Sequence, residues 1–336
     1  MIKASYFPYQ LEFKKPSGTS RGILTYKKIW IVKLWNEENP EVFGLGECNP
    51  LVGLSIDDRD DFEEELKKIC ENINDFIDVE SYEFPSIRFA IETAHKDLIN
   101  GGKRILFDNE FSRGEKGIVI NGLVWMGSKE DMSKQIAEKI EQGFKCIKLK
   151  IGAIDFETEL ALLKSIRDQY SESDIEIRVD ANGAFTAHDA LKKLEHLAKF
   201  KLHSIEQPIK QGQVEVMAKL CKVTPLAIAL DEELIIHQRK DEKEILLKEI
   251  QPQYIILKPS IVGGWKASEE WIASAEKLNI NWWITSALES YIGLNAIAQW
   301  TAELKTKTPQ GLGTGGLYTN NFDSKLKIIG QILTHF

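Results

Sequence analysis

The sequence predicts an α/β protein built on a parallel barrel of the TIM type, preceded by a small α+β domain. Three observations predict it. From about Gly117 onward, short apolar runs alternate with amphipathic segments of roughly ten to fifteen residues, the pattern of successive βα units. These units recur seven or eight times at a pitch of about 30 residues, which is that of a (β/α)8 barrel. The first hundred residues read differently, as β-rich segments followed by two helical periods. At 336 residues the chain has room for a barrel of about 250 residues and an attachment.

Each element has its own signal. Ile2 to about Pro50 reads as two β-rich segments around a loop at KKPSGTSRG, with the β-formers of Ile23 to Trp35 in the second. The glycine-bearing stretch FGLGECNPLVG follows. Between Asp57 and Ile77, Phe62, Leu66, Ile69 and Ile73 recur at helical spacing, and Pro85 to Asn100 gives a second helix. Gly101 and Gly102 mark a turn, so a first domain is expected over 1–105, a barrel over 106–313, and a return of the tail, 314–336, to the first domain. The candidate barrel strands are Ile118 to Leu123, Cys146 to Lys150, Ile175 to Asp180, Ser204 to Glu206, Leu226 to Asp231, Tyr254 to Lys258, Asn281 to Thr285 and Gln310 to Leu312.

Composition narrows the function. Forty-three Lys and Arg against fifty-one Asp and Glu leave a net charge of −8, which repels phosphate backbones and anionic lipid. A nucleic-acid or membrane partner is therefore not expected. No apolar run reaches the ~18 residues of a membrane span, and MIKASYFPYQ lacks a secretory apolar core, so the expected compartment is the cytoplasm. Cys48, Cys70, Cys146 and Cys221 lie far apart, which fits packed thiols rather than a zinc or disulfide framework.

Five successive candidate strands end in a charge: Lys150, Asp180, Glu206, Asp231 and Lys258. Strand alternation places residues two apart on one face, so Lys148 and Lys150 point one way while Ile147 and Leu149 point the other. Arg178 and Asp180 oppose Ile177 and Val179 in the same way. The apolar set suits the surrounding helices, which leaves the charges projecting into the C-terminal mouth, where such barrels place catalysis. A solvated strand end explains any one of these charges; five in the same phase argue for a site. Three converging carboxylates repel one another unless a cation sits among them. Asp180, Glu206 and Asp231 offer hard oxygen ligands without Cys or His, which selects Mg2+, with Mn2+ as a substitute. Such an ion acts as a Lewis acid toward a substrate carboxylate. The flanking lysines become acid/base candidates, since a lysine near another cation and partly desolvated has its pKa lowered towards roughly 7 to 8.

Weaker signals surround these. Asn182, Gln207 and Glu232 sit just beyond proposed ligands and are candidate supporting groups, although Asn182 also suits a turn and Glu232 a helix start. Thr285 ends the seventh strand segment and Ser286 follows it; with Gly313 of GLGTGG they are candidate substrate contacts. Arg21 is a candidate partner for a second substrate carboxylate, with a surface charge as the alternative. The loop from Lys14 to Gly22 and the glycine-bearing segment from Gly44 to Ser55 are expected to close over substrate and exclude water. The six histidines are expected at the surface, and Trp282 and Trp283 in packing.

The lysine pair in KLK, followed in order by VDAN, IEQP, LDEE and ILKPS, resembles the enolase superfamily in its muconate-lactonising subgroup. GLGECNPLVGLS, TSALESYIGLNAIAQWTA and GLGTGGLYTNNF extend the resemblance over nearly the whole chain. It implies a (β/α)7β TIM-like barrel closed by an α+β capping domain formed from the N-terminal part and the C-terminal tail. It assigns the metal to Asp180, Glu206 and Asp231, the proton-abstracting base to Lys150, and charge stabilisation to Lys148 and Lys258. The activity implied is that of a lyase, the Mg2+-dependent dehydration of 2-succinyl-6-hydroxy-2,4-cyclohexadiene-1-carboxylate in menaquinone biosynthesis. Racemisation of N-acylamino acids uses the same two opposed lysines and stays open. The absence of a seventh-strand histidine argues against the mandelate-racemase type, and GLGTGG in place of an Asp-x-Asp pair argues against dipeptide epimerases. From other classes, a barrel-shaped binding protein with a structural metal and a Schiff-base lyase acting through Lys150 also stay open. The expected partner is a small-molecule carboxylate, and a homo-oligomer is compatible with the sequence.

Overall fold

A computed structural model describes residues 1–19, 22–77 and 83–336. The chain opens with three antiparallel strands, β1 (Ile2–Thr19), β2 (Gly22–Asn36) and β3 (Asn39–Cys48), in the order β1-β2-β3. The segment expected to be a loop is mostly strand: β1 runs on through KKPSGT, with a shift in register between Glu12 and Ser17. Pairing with β2 satisfies the backbone there, which outweighs the local turn signal of Pro16 and Gly18. Helices α1 (Phe62–Glu71), α2 (Ile73–Phe76) and α3 (Pro85–Ile99) cover one face of this sheet. Phe62, Leu66, Ile69 and Ile73, the predicted stripe, are buried against Trp30, Val32 and Leu34. Gly44 and Gly46, at the start of the segment expected to close over substrate, lie in β3 beneath α3, where a Cβ would land on the carbonyl oxygen of Ala94 or Ala90.

The barrel follows. Its strands are β5 (Gly122–Val124), β6 (Cys146–Lys150), β7 (Glu176–Asp180), β8 (Ser204–Glu206), β9 (Ile228–Leu230), β10 (Tyr254–Leu257) and β11 (Asn281–Ile284), all parallel and hydrogen-bonded in chain order. Between and after them run α4 (Lys129–Glu141), α5 (Phe156–Arg167), α6 (Ala190–Ala198), α7 (Val214–Val223), α8 (Lys240–Ile250), α9 (Pro259–Val262), α10 (Gly264–Lys277) and α11 (Tyr291–Glu303). Ser128, Asp155 and Ser290 cap α4, α5 and α11 through their side chains. The eighth position is not a strand: Gln310 and Gly311 make single parallel bridges to Ile120 and Thr285 and so join the two edges. This is the capped (β/α)7β architecture.

Two expectations need correction. The run Ile118 to Leu123 is two elements, because β4 (Ile118–Val119) leaves the barrel to join β12 (Leu326–Ile329) and β13 (Ile332–His335) in a separate sheet. The C-terminal tail therefore divides its contacts. Tyr318 bridges to Phe13 and Thr319 N donates to Glu12 O at 2.9 Å, on the small domain. The last residues pair instead with β4, at the entrance to the barrel. Nor are all histidines at the surface: His335 is only 3% exposed, since strand alternation turns it inward with Leu333 onto Phe111. Trp283 packs inside the barrel with Tyr254 and Arg178, as a packing residue would. The four cysteines are free and buried. No described helix is long and apolar enough to cross a membrane.

Candidate active site

Register brings the strand-end charges together. Lys150 pairs with Asp180, and Asp180 with Glu206, so three adjacent strands place these side chains at one level. Glu206 pairs with Ala229, and Asp231 stands two residues further on the same face. The apolar partners Ile147, Leu149, Ile177, Val179 and Ile205 are buried in the layer between sheet and helices. Pro208 and Pro259 follow closely on β8 and β10; lacking an N–H, they help to end these strands where the ionic groups begin.

The ionic contacts are dense. Lys148 Nζ lies 2.9 Å from Asp180 Oδ2 and also donates to Glu206 Oε2. Lys150 Nζ donates to Asp180 Oδ2 at 3.0 Å and to Asn182 Oδ1 at 2.8 Å. On the far side Lys258 Nζ donates to Asp231 Oδ2. Burial works against the carboxylate of Asp180, but the ammoniums of Lys148 and Lys150 outweigh it and hold Asp180 well below the usual range. Burial likewise opposes the ammonium of Lys148, yet Asp180 and Glu206 push it above the usual lysine range. Lys258 is raised too, burial being outweighed by Asp231 and Glu232. A lowered lysine pKa was expected here; the lysines are instead paired with the carboxylates, which reverses the direction for Lys148 and Lys258.

Glu206 is shifted in the opposite direction from Asp180. Burial, then Asp180, drives its carboxyl well above the usual range, and its Oε1 is buried without a hydrogen-bond partner. Asp231 shifts the other way, since burial is outweighed by Lys258, and after it by Glu206, which keep it low. An orphaned buried carboxylate oxygen next to two further carboxylates fits a divalent cation bound by oxygen ligands. Among the described residues, no group of three or more Asp, Glu, His or Cys is spread at metal-holding spacing. Lys148 Nζ bridges Asp180 and Glu206, and Lys258 Nζ meets Asp231.

The residues that follow the strand ends make contacts of their own. Asn182, at φ +43°, makes the turn and also donates Nδ2 to Glu232 Oε1 at 2.9 Å. Glu232 is pushed up to about 7 by burial and by Asp231. Gln207 accepts at Oε1 from the backbone N–H of Asp231 and Glu233, at 3.2 and 3.3 Å, and donates to Glu233. It thereby fixes the strand end that carries Asp231. A cavity of about 90 Å3 opens over the ions, lined by Lys148, Lys150, Asp180, Asn182 and Lys258. Thr285, Ser286 and Gly313 line it as well, whereas Gly263 and Gly264, at the start of α10, do not. Gly264 faces Glu92 of the cap instead. Arg21 lies outside the described residues.

The barrel segment 131–328 matches the family model of enolase C-terminal domain-like proteins. The chain belongs to the enolase superfamily. Across its full length, this enolase-superfamily chain is 45% identical to the o-succinylbenzoate synthase of Desulfotalea psychrophila, covering 99% of this chain and 98% of that one. The crystal structure of MenC from Desulfotalea psychrophila superposes with a TM-score of 0.88 at 42% identity, over 99% of both chains. A dipeptide epimerase from Enterococcus faecalis, in complex with Mg and L-Leu-L-Tyr, reaches a TM-score of 0.83 over 99% of both chains. At 22% identity that likeness bears on the fold alone.

Several cavity residues of this superfamily member escaped the sequence reading. Leu123 and Trp125, at the end of β5, line the cavity, and strand-end position was a signal for both. Asn121, Leu51, Ala287 and Leu288 also line it. Leu51 arrives from the cap, within the segment expected to close over the mouth; the end of β1 reaches the barrel too, through a bridge from Gly18 to Met126.

Proposed function

We propose that this chain catalyses the dehydration of 2-succinyl-6-hydroxy-2,4-cyclohexadiene-1-carboxylate to o-succinylbenzoate, in menaquinone biosynthesis. The observation that carries it is the pairing of Lys150 and Lys258 around three buried carboxylates in a chain so similar, over its whole length, to a synthase of that name. Asp180, Glu206 and Asp231 are the residues that would hold Mg2+, with Mn2+ as a substitute; when bound, the ion supplies positive charge beside the substrate carboxylate.

The chain's own residues do the rest. Lys150, held by Asn182 and Asp180, takes the proton α to the carboxylate when it presents a neutral amine. The electron pair left behind moves into the carboxylate, where the ammoniums of Lys148 and Lys258 oppose the growing negative charge. The pair then returns to the ring as the neighbouring C–OH bond breaks, and the proton on Lys150 goes to the departing hydroxide, so one water leaves. The ring becomes aromatic, which makes the elimination strongly downhill. Thr285, Ser286 and Gly313 bound the space for the rest of the substrate.

One assay tests this reading. Purified protein with Mg2+ and the cyclohexadiene carboxylate should give the ultraviolet absorbance change of the aromatic product, and exhaustive chelation should remove the activity. Absence of turnover with the metal present would overturn the assignment. Racemisation of N-acylamino acids is the second reading, because Lys150 and Lys258 both flank the same cavity.

A further inference from the structure

Lys27 stands outside the catalytic constellation, on β2 of the cap, and is 7% exposed. Its ammonium crosses to the barrel and donates to the carbonyls of Ala287 and Leu288 at 2.8 and 3.1 Å, and to Asn49 Oδ1. Two more donors reach the same two carbonyls. Asn49 Nδ2 donates to Ala287 O at 3.0 Å, and Tyr318 Oη donates to Leu288 O at 2.8 Å. All three donors come from outside the barrel sheet, from the cap and the tail, whereas Ala287 and Leu288 line the cavity.

The held turn is one that the chain resists. Leu288 sits at φ +66°, the left-handed region, which is uncommon for a branched apolar side chain and persists only when its surroundings enforce it. From below, the carboxylate of Glu289 accepts the N–H of Ala287 at 2.9 Å and the hydroxyls of Ser260 and Ser286. The turn is thus clamped on both sides. Burial lowers Lys27 to about 8 against the pull of Glu289 and Glu47, so the cation is costly where it stands. Its contacts are to the cavity wall and not to the lysines, which Asp180 and Asp231 hold independently.

We propose that Lys27 is a positioning residue for substrate, clamping the Ala287–Leu288 turn from the cap and so fixing the cavity wall that receives the part of the substrate away from Lys150. The inference rests on the dehydration reading above. Loss of the clamp acts on substrate affinity and leaves the proton transfer in place.

Lys27→Met and Tyr318→Phe, singly and together, test it in steady-state turnover of the cyclohexadiene carboxylate with saturating Mg2+. Lys27→Met should raise KM by about tenfold with kcat within about twofold, and Tyr318→Phe should raise KM by about threefold. The double variant should fall short of the product of the two, because both donors act through the Leu288 carbonyl. A purely structural role gives a different signature, since partial unfolding lowers the apparent kcat and leaves KM alone. Unchanged KM in the folded variants, or a loss confined to kcat, would overturn the clamp. If Lys27→Met shows no folding transition, the KM of Tyr318→Phe decides alone. Absence of turnover by the wild-type chain overturns the dehydration reading itself, whereas wild-type turnover with an unmoved KM in the variants overturns only the clamp.

Discussion

Lys150 is held at two points, by Asp180 Oδ2 and Asn182 Oδ1, so its amine has a fixed direction before substrate arrives. A guanidinium can occupy that place and keep the charge, but it does not release a proton near neutral pH. Lys150→Arg and Lys150→Ala should therefore both lower kcat by about 10^2 to 10^4, with the thermal transition retained. An active Lys150→Arg enzyme would remove Lys150 from the role of base. The carboxylates are tested separately. Asp231→Asn should weaken Mn2+ binding, followed by paramagnetic resonance, at least about tenfold, because it takes a charge from a site that needs anions. Unaltered binding would sink the metal assignment for that residue. These groups were legible because period-2 alternation converts a charge at a strand end into a direction. Lys27, Asn49 and Tyr318 were not legible, since their contacts span up to 261 positions in sequence and depend on how the cap is seated.

Elements meet across the cap and barrel through backbone as much as through side chains. Glu92, on α3, accepts the N–H groups of Trp265 and Lys266 at 2.8 and 3.1 Å, in the first turn of α10. Burial pushes Glu92 up to about 8, winning over those hydrogen bonds. A folded-state value above the unfolded 4.5 means that the folded chain holds a proton the unfolded chain gives up, so this tie loses stability as pH rises from about 4.5 to about 8. Glu92→Gln cannot ionise. Relative to wild type its Tm should climb over that window by about 2 °C or more and level off above it, whatever fixed cost the lost acceptor imposes. A pH-independent difference would refute the assignment. Gly46→Ala tests the approach of β3 to α3: the added Cβ meets the Ala90 carbonyl, and chemical denaturation should show a loss of about 1–3 kcal/mol. Helix periods and most barrel strands were readable from apolar spacing. The course of β1 through KKPSGT was not, because its pairing with β2 overrides what Pro and Gly imply locally.

The whole molecule divides its labour between a barrel that carries the ionic groups and a cap that completes the cavity. The sequence showed that division through the change of hydrophobic period near Gly117, but not the exit of β4 to pair with β13, which needs partners more than two hundred residues apart. Both candidate activities begin with the same step, removal of an α-proton by Lys150, so the barrel alone does not separate them. They part afterwards: a racemase must return a proton to the opposite face, which gives Lys258 alternating acid and base roles, whereas elimination asks of Lys258 only a steady positive charge. Its pairing with Asp231, which holds it in the ammonium form, suits the second demand. We expect kcat/KM for the cyclohexadiene carboxylate to exceed that for either enantiomer of an N-succinylamino acid by at least about a hundredfold. In deuterium oxide, the amino acid derivatives should exchange their α-hydrogen slowly or not at all, as followed by proton NMR. Rapid interconversion of the enantiomers, with solvent deuterium entering through Lys258 and no turnover of the cyclohexadiene carboxylate, would assign this chain to the racemases instead.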